Sequence, residues 1–459
     1  MIKKVRSFFS AQDLTEGNIL QGLLRFSIPL IIGNFAQQLY STVDSIVVGR
    51  AVPGGLAAIG ATFPIINFTI LLFMAIATGA GVMVAQYFGA KDQNNLTKTV
   101  GNTLLLIFIA TVILISITIP LSRPILSLIN TPADIIDMAT SYLKITFLGF
   151  LGAAYFNIGS GILRGVGDSI TPLIYLLIST VLNTGLDILF VWQFNWGVAG
   201  AAWATIISQV ISAILVLSQI YRTPRINRLQ KDDIKPDLVL IKRLLILGLP
   251  AGITQGLFSL AMIMVQNLTN KMGTMIVEAN IAVIRLDGFA MMPNQTFGMA
   301  ATTFIGQNIG AKNMERVKRG SKVVTLLALV VSFILSMILL IFGRQLLGLF
   351  STNPRVIEIG YNMMLILIVG YIAISQTITL GGVMRGAGDT MTPMWITLFV
   401  TVFLRVPLAY FLTYLSVSPE WPNGSPYMQN IALLAAWILG AIITLIFYRR
   451  GKWQDKAII

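Results

Sequence analysis

The chain has 459 residues, 56% of them hydrophobic and 11% charged, a balance that excludes a soluble fold of this length and selects a polytopic membrane protein. It contains neither cysteine nor histidine, so thiolate and imidazole metal sites and Cys or His catalysis are excluded, and carboxylates must handle any proton. The net charge of +14 lies in short loops between apolar spans without aromatic interleaving, which fits a membrane surface and not nucleic acid.

The first eighteen residues are basic and polar and lack the apolar core and cleavage site of a signal peptide. Phe8 and Phe9, behind Lys3, Lys4 and Arg6, suit a short interfacial helix. Apolar stretches long enough to cross a bilayer then follow at 20–48, 56–88, 100–121, 136–163, 170–192, 196–221, 240–269, 277–308, 321–343, 356–384, 391–415 and 428–448. With the N-terminus inside, 24 Lys and Arg fall on inner segments and 6 on outer ones, which places both termini in the cytoplasm. The expected fold is an all-α membrane protein of twelve transmembrane helices in two pseudo-symmetric six-helix bundles. These are an N-lobe over 1–221, a cytoplasmic linker over 222–239 and a C-lobe over 240–459.

The first span, PLIIGNFAQQLYSTVDSIVVGR over 29–50, carries Asn34, Gln37, Tyr40 or Ser41, and Asp44 on one helical face. A carboxylate within a lipid-spanning helix is costly and normally faces a water-filled cavity or a partner. Asp44 is therefore read as a cation-exchanging group; the alternative is a helix-ending acid at headgroup level beside Arg50. Span four offers Tyr142, Asn157 and Ser160, and span six offers Thr205. Span five adds Asn183 and Asp187, four apart and so on one face, with Gly185 between them. Convergence of these groups on one cavity would let two carboxylates load H+ or, with neutral oxygens, Na+.

The halves repeat. RGVGDSITP at 164–172 matches RGAGDTMTP at 385–393, and QYFGAK at 86–91 matches QNIGAK at 307–312; both shifts are 385 − 164 = 307 − 86 = 221. Pro29 maps to Pro250 by the same shift. In the RGxGD loops the glycines permit a tight turn, and Asp168 and Asp389 suit capping of the next helix, so these loops read as structural turns or as gate hinges. The positions matching Asp44 and Asp187 are Val265 and Leu408 (44 + 221 and 187 + 221), so the second lobe lacks both acids. It carries instead Arg285 and Asp287 in span eight and Arg405 in span eleven. Asp287 is expected either to be neutralised by one of these arginines or to meet a cationic substrate. Met291 and Met292, with Met262, Met264, Met299, Phe289 and Phe297, suit an adaptable pocket wall or ordinary packing.

Two six-span repeats, QLYSTVDSIVVGR after IPLIIGN, QYFGAK/QNIGAK, LRGVGD/MRGAGD and LNTGLDILFVWQFNWGVAGAAWAT together resemble the multidrug and toxic compound extrusion (MATE) transporters, and are more similar to their DinF-like branch. The resemblance implies export of organic cations or amphipathic drugs in exchange for H+ or Na+, with no cofactor and no enzymatic activity. It also implies a multi-pass, monomeric protein of the bacterial inner membrane, whose partners are small molecules and the lipid bilayer. It places the cation site of that branch on Asp44, Asn183 and Asp187, with Gln37, Tyr142, Asn157 and Thr205 nearby, while Ser160 departs from the Asn expected there. Tyr40, Asn34, Ser160, Asp287, Arg285, Met291 and Met292 are the candidates for a substrate cavity between the lobes. A lipid-linked oligosaccharide flippase is the alternative reading and would draw on Arg285 and Arg405 as its basic groups.

Overall fold

The computed structural model describes residues 12–129, 131–223, 226 and 230–458; side chains at 39–46, 50, 56, 71, 72 and 231 lie outside the description. Among the described residues all regular structure is helical. The chain runs through α1 (Ile19–Ala51), α2 (Gly55–Gly89), α3 (Gln93–Leu128), α4 (Ile136–Leu148), α5 (Phe150–Gly165), α6 (Ile170–Asp187) and α7 (Gly197–Arg222). It continues through α8 (Leu238–Asn270), α9 (Thr274–Gly310), α10 (Met314–Leu347), α11 (Pro354–Gly386), α12 (Met391–Thr397), α13 (Val406–Leu415) and α14 (Tyr427–Arg450). Ten helical segments among the described residues are long and apolar enough to cross a membrane, with Ile170–Gln193 and Met391–Leu415 each counting as one, or eleven if the pair α4 and α5, bent by 49°, is one span. Helix α9 is not among them. It carries Glu278, Arg285, Asp287, Asn294 and Gln295 along its length.

Two helix starts, equivalent by the repeat, are set by capping. Asp92 accepts the amide of Asn95 at 3.1 Å and Asn313 accepts that of Arg316 at 3.0 Å, so α3 and α10 each begin seven residues ahead of the apolar span (100 − 93 = 321 − 314 = 7). The residue before each cap, Lys91 or Lys312, takes a left-handed conformation (φ 58° and 56°) that turns one helix into the next. The bend between α4 and α5 has no proline. It falls at Gly149, where a Cβ would stand 2.1 Å from the Ile206 side chain of α7, so only glycine lets the chain pass this close.

Two helices depart from the α form. After Asp187, residues Ile188–Gln193 are π-helical, and in the second half Leu398–Arg405 are π-helical between α12 and α13. Such wide turns are rare and concentrate at functional positions.

The chain divides into two compact units. Among the described residues, one holds 12–14 with Leu24–Leu249, and the other holds Thr15–Leu23 with 250–458. The first is called the N-lobe below and the second the C-lobe. The opening turns of α8 belong to the N-lobe because glycines bring two backbones together there. A Cβ on Gly79 would lie 2.2 Å from the Leu244 carbonyl, and one on Gly248 would lie 2.0 Å from that of Ala75. The segment before α8 is anchored to the same lobe: Asn102 of α3 accepts the amide of Asp237 at 2.7 Å and donates to the Asp233 carbonyl at 3.3 Å.

Candidate functional site

Asp187 closes α6 just where the helix widens into its π-helical stretch, and none of its surface is exposed. One turn earlier Asn183 is buried as well, and its amide donates to Thr205 Oγ1 on α7 at 3.4 Å. The Asn183 carbonyl oxygen is buried and has no hydrogen-bond partner among the described residues, which leaves an acceptor beside the carboxylate. Tyr142 of α4 is buried in a cluster with Val191 of the π-helical stretch and Val198, Ala201 and Ala202 of α7. Val47 and Val48 of α1 join the same cluster, so the last turn of α1 packs against the elements that carry Tyr142 and Asp187. The side chains of Asp44 and Tyr40 lie outside the described residues.

The other expected members are placed differently. Asn157 is exposed, and its amide donates to the Ala153 carbonyl of its own helix at 2.8 Å. Among the described residues it reaches no other member of the set. Gln37 is exposed and Asn34 half-buried. Ser160 is buried, and its hydroxyl has no described hydrogen-bond partner. The structure thus joins Asn183 to Thr205, sets Asp187 one turn away, and brings Tyr142 to the packing beneath.

The C-lobe carries a separate polar group. Asp287 of α9 is half-buried and accepts a hydrogen bond from the Tyr371 hydroxyl of α11. The charge of Arg405, at the end of the second π-helical stretch, acts on the same carboxylate. Arg405 is buried and its Nε has no hydrogen-bond partner among the described residues. Arg285 is exposed and forms no described ion pair, so of the two arginines Arg405 is the one that offsets Asp287. Met291 and Met292 are half-buried, and Met291 packs on the core that contains Tyr371. Tyr371, whose ring lies 5.7 Å from that of Trp437, was not visible as a site residue in the sequence. It stands 84 positions from Asp287 on another helix.

The RGxGD loops cap helices. Asp168 accepts the amides of Ile170 and Thr171 at 3.2 and 3.0 Å and the Thr171 hydroxyl at 2.6 Å; Asp389 accepts the amide of Thr392 at 3.1 Å. Glu358, the acid at the mouth of span ten, is bound through both oxygens by Arg344 at 3.0 Å.

The MatE family model matches twice, over residues 29–189 and 250–411, with starts separated by 250 − 29 = 221. The chain belongs to the MatE family of multidrug efflux transporters. The double match makes each lobe one copy of the family unit, in the register already seen in the repeated motifs. Among its relatives, the probable multidrug resistance protein YoeA of Bacillus subtilis is 30% identical over 97% of both chains. The probable multidrug resistance protein NorM of Thermotoga maritima is 26% identical over 99% of this chain and 97% of its own. A crystal structure of a MATE protein in the bent conformation superposes with a TM-score of 0.88 at 22% identity, covering 95% of this chain and 96% of that one, which establishes the shared fold. Membership of the MatE family, with its run of apolar helices, makes this a multi-pass protein of the bacterial cell membrane.

Proposed function

We propose that the chain is a secondary antiporter that exports organic cations or amphipathic drugs in exchange for H+ or Na+. It works as a monomeric transporter with no cofactor and no enzymatic step. The coupling ion binds in the N-lobe, at Asp187 with Asp44, and Asn183 and the hydroxyls of Thr205 and Tyr142 supply neutral oxygens around it. Twelve spans in two lobes, with the linker and both termini in the cytoplasm, complete the reading. The observation that carries it is Asp187: a carboxylate with no exposed surface, at the junction of an α-helix and a π-helical stretch, beside a buried amide oxygen without a hydrogen bond. Burying a carboxylate inside a membrane helix is so unfavourable that such groups mark ion or proton pathways. A protonated acid or an acid holding Na+ is neutral or charge-balanced, so occupancy changes the electrostatic cost of closing the lobe around it. Ion and drug then need only favour opposite states of the transporter for one gradient to drive the other.

The test is export of an ethidium-like cation by proteoliposomes under an imposed pH or Na+ gradient. Wild-type protein is expected to respond to one of the two gradients, which identifies the ion. Asp187→Asn is expected to lose the gradient response while keeping its thermal midpoint. Gradient-driven export that persists at the wild-type rate in Asp187→Asn removes the residue from the coupling site.

A further inference from the structure

In each lobe the loop motif sets an arginine four residues before an aspartate, Arg164 before Asp168 and Arg385 before Asp389. Opposite charges at that spacing pair readily on a helix. Here they do not. Each aspartate is turned toward the amides of the following helix. Neither arginine side chain has a hydrogen bond or an ion pair among the described residues.

Both side chains are half-buried and fold back along their own helices, away from the helix end. Arg164 Nη2 lies 3.8 Å from the place a Cβ on Gly161 would take. Arg385 Nη1 lies 3.3 Å from that of Gly381 and Nη2 3.7 Å from that of Gly298 on α9. Glycine walls therefore leave room for the flat face and fork of each guanidinium. The helix C-terminus behind each arginine offers partial negative charge, but only about half a unit. A guanidinium is charged at every physiological pH, and one withdrawn from water without a full counter-charge is unfavourable unless an anion joins it.

We propose that Arg164 and Arg385 are two equivalent binding sites, one in each lobe, for a phosphate-class anion. Each sits in the last turn of a membrane span, α5 ending at Gly165 and α11 at Gly386, which is the level of lipid headgroups. The planar fork matches two phosphate oxygens at once, a fit that a lysine does not offer. A phospholipid headgroup and a free phosphate present the same oxygens, so the two sources are separated by experiment. The proposal does not depend on the antiport reading, because binding is measured without transport.

Protein stripped of lipid in neutral detergent is titrated with phosphatidylglycerol, inorganic phosphate, or diacylglycerol as a phosphate-free blank. Native mass spectrometry counts the bound probe and the thermal midpoint follows its effect. Two retained phosphatidylglycerol molecules are expected in the wild type, one in Arg164→Gln or Arg385→Gln, and none in the double variant, with affinity falling about tenfold at each altered site. Arg319→Gln, which breaks an exposed pair with Glu315, is expected to bind as the wild type does. Gly381→Ala keeps every charge but crowds Arg385 from 3.3 Å, and should weaken the C-lobe site alone. It carries the test even where a Gln variant does not fold. Stabilisation by phosphatidylglycerol and not by inorganic phosphate assigns the sites to headgroups, and stabilisation by both assigns them to any phosphate. Binding by Gly381→Ala and the folded Gln variants equal to wild type, or no effect of either probe on the wild type, overturns the proposal.

Discussion

In the N-lobe, Asp187 is sealed from the surface one turn from Asn183, whose amide makes a neutral hydrogen bond to Thr205. In the C-lobe, Asp287 keeps some exposure, takes the Tyr371 hydroxyl and lies under the charge of Arg405. The repeat makes the contrast exact in position. Asp287, Tyr371 and Arg405 correspond to Ile66, Phe150 and Thr184 (each less 221), while Asn183 and Asp187 correspond to Leu404 and Leu408. Each lobe has thus placed its polar group where the other is apolar or uncharged. What both copies retain is the chemistry of turns and caps: Lys91 with Lys312, Asp92 with Asn313, Asp168 with Asp389. Duplication kept what folds the unit and diverged where charge enters the membrane. We read the Asp287 carboxylate, which lies under the charge of an arginine of its own lobe, as a structural element. Asp187 is the one that the proposed coupling reaction requires.

The sharpest way to break this contrast is to neutralise each acid in turn. Asp287→Asn leaves Arg405 buried with no counter-charge, and is expected to lower stability by about 3 kcal/mol, read as a fall in thermal midpoint in detergent. Asp187→Asn removes a buried charge in favour of a neutral amide, so its midpoint is expected to hold or rise while coupled export is lost. The reverse pattern, with Asp187→Asn unstable and Asp287→Asn stable but uncoupled, would exchange the roles assigned to the two lobes.

A smaller effect sharpens the same comparison. Tyr371→Phe removes one hydroxyl from the C-lobe group but leaves both charges, and should cost about 1–2 kcal/mol. Its N-lobe counterpart runs the other way. Phe150 is buried between Phe73 and Phe147, with ring centroids at 5.0 and 5.1 Å, so Phe150→Tyr introduces a hydroxyl where the C-lobe carboxylate has only Ile66 as its equivalent. Both single variants are therefore expected to destabilise, each by a deletion or an addition of the same atom. Equal melting of Tyr371→Phe and the wild type would remove the hydroxyl from the balance of Asp287.

Much of this frame was legible in the sequence, and for definite reasons. Long apolar runs have to become helices in lipid, because no other partner for the backbone exists there. The shift of 221 is written into exact motif matches, and with it the loss of both acids from the second lobe. Four-residue spacing puts Asn183 and Asp187 on one helical face, and the structure buries both on α6. Other features have no local signal. The bend at Gly149 is fixed by Ile206, which arrives from α7, and the π-helical stretches at 188–193 and 398–405 follow sequences that read as ordinary helix. Tyr371 meets Asp287 only through the packing of α11 on α9. Asn157 shows the converse: the apolar span that carries it also carries Tyr142, yet the structure breaks that span at Gly149 and the Asn157 amide turns to its own backbone. Arg164 and Asp168 stand at pairing distance in sequence and are separated by the demands of a helix cap.

The smallest expected effect comes from the feature the lobes share most plainly at the surface. Arg123 meets Asp137 at 2.5 Å and Arg344 meets Glu358 at 3.0 Å, and the two pairs are equivalent by the repeat (123 + 221 = 344, 137 + 221 = 358). All four side chains are more than half exposed, so water and salt screen the attraction. The C-lobe pair is the better built, with two parallel bonds and the guanidinium 4.1 Å from the Tyr361 ring centre. Asp137→Asn and Glu358→Gln are each expected to leave export intact and to move the thermal midpoint by no more than about 2 °C. Any shift that is resolved should be larger for Glu358→Gln and should shrink as salt is raised. Loss of gradient-driven export in Glu358→Gln would instead bring a second acid into the coupling reaction, and the division of labour between the lobes would no longer hold.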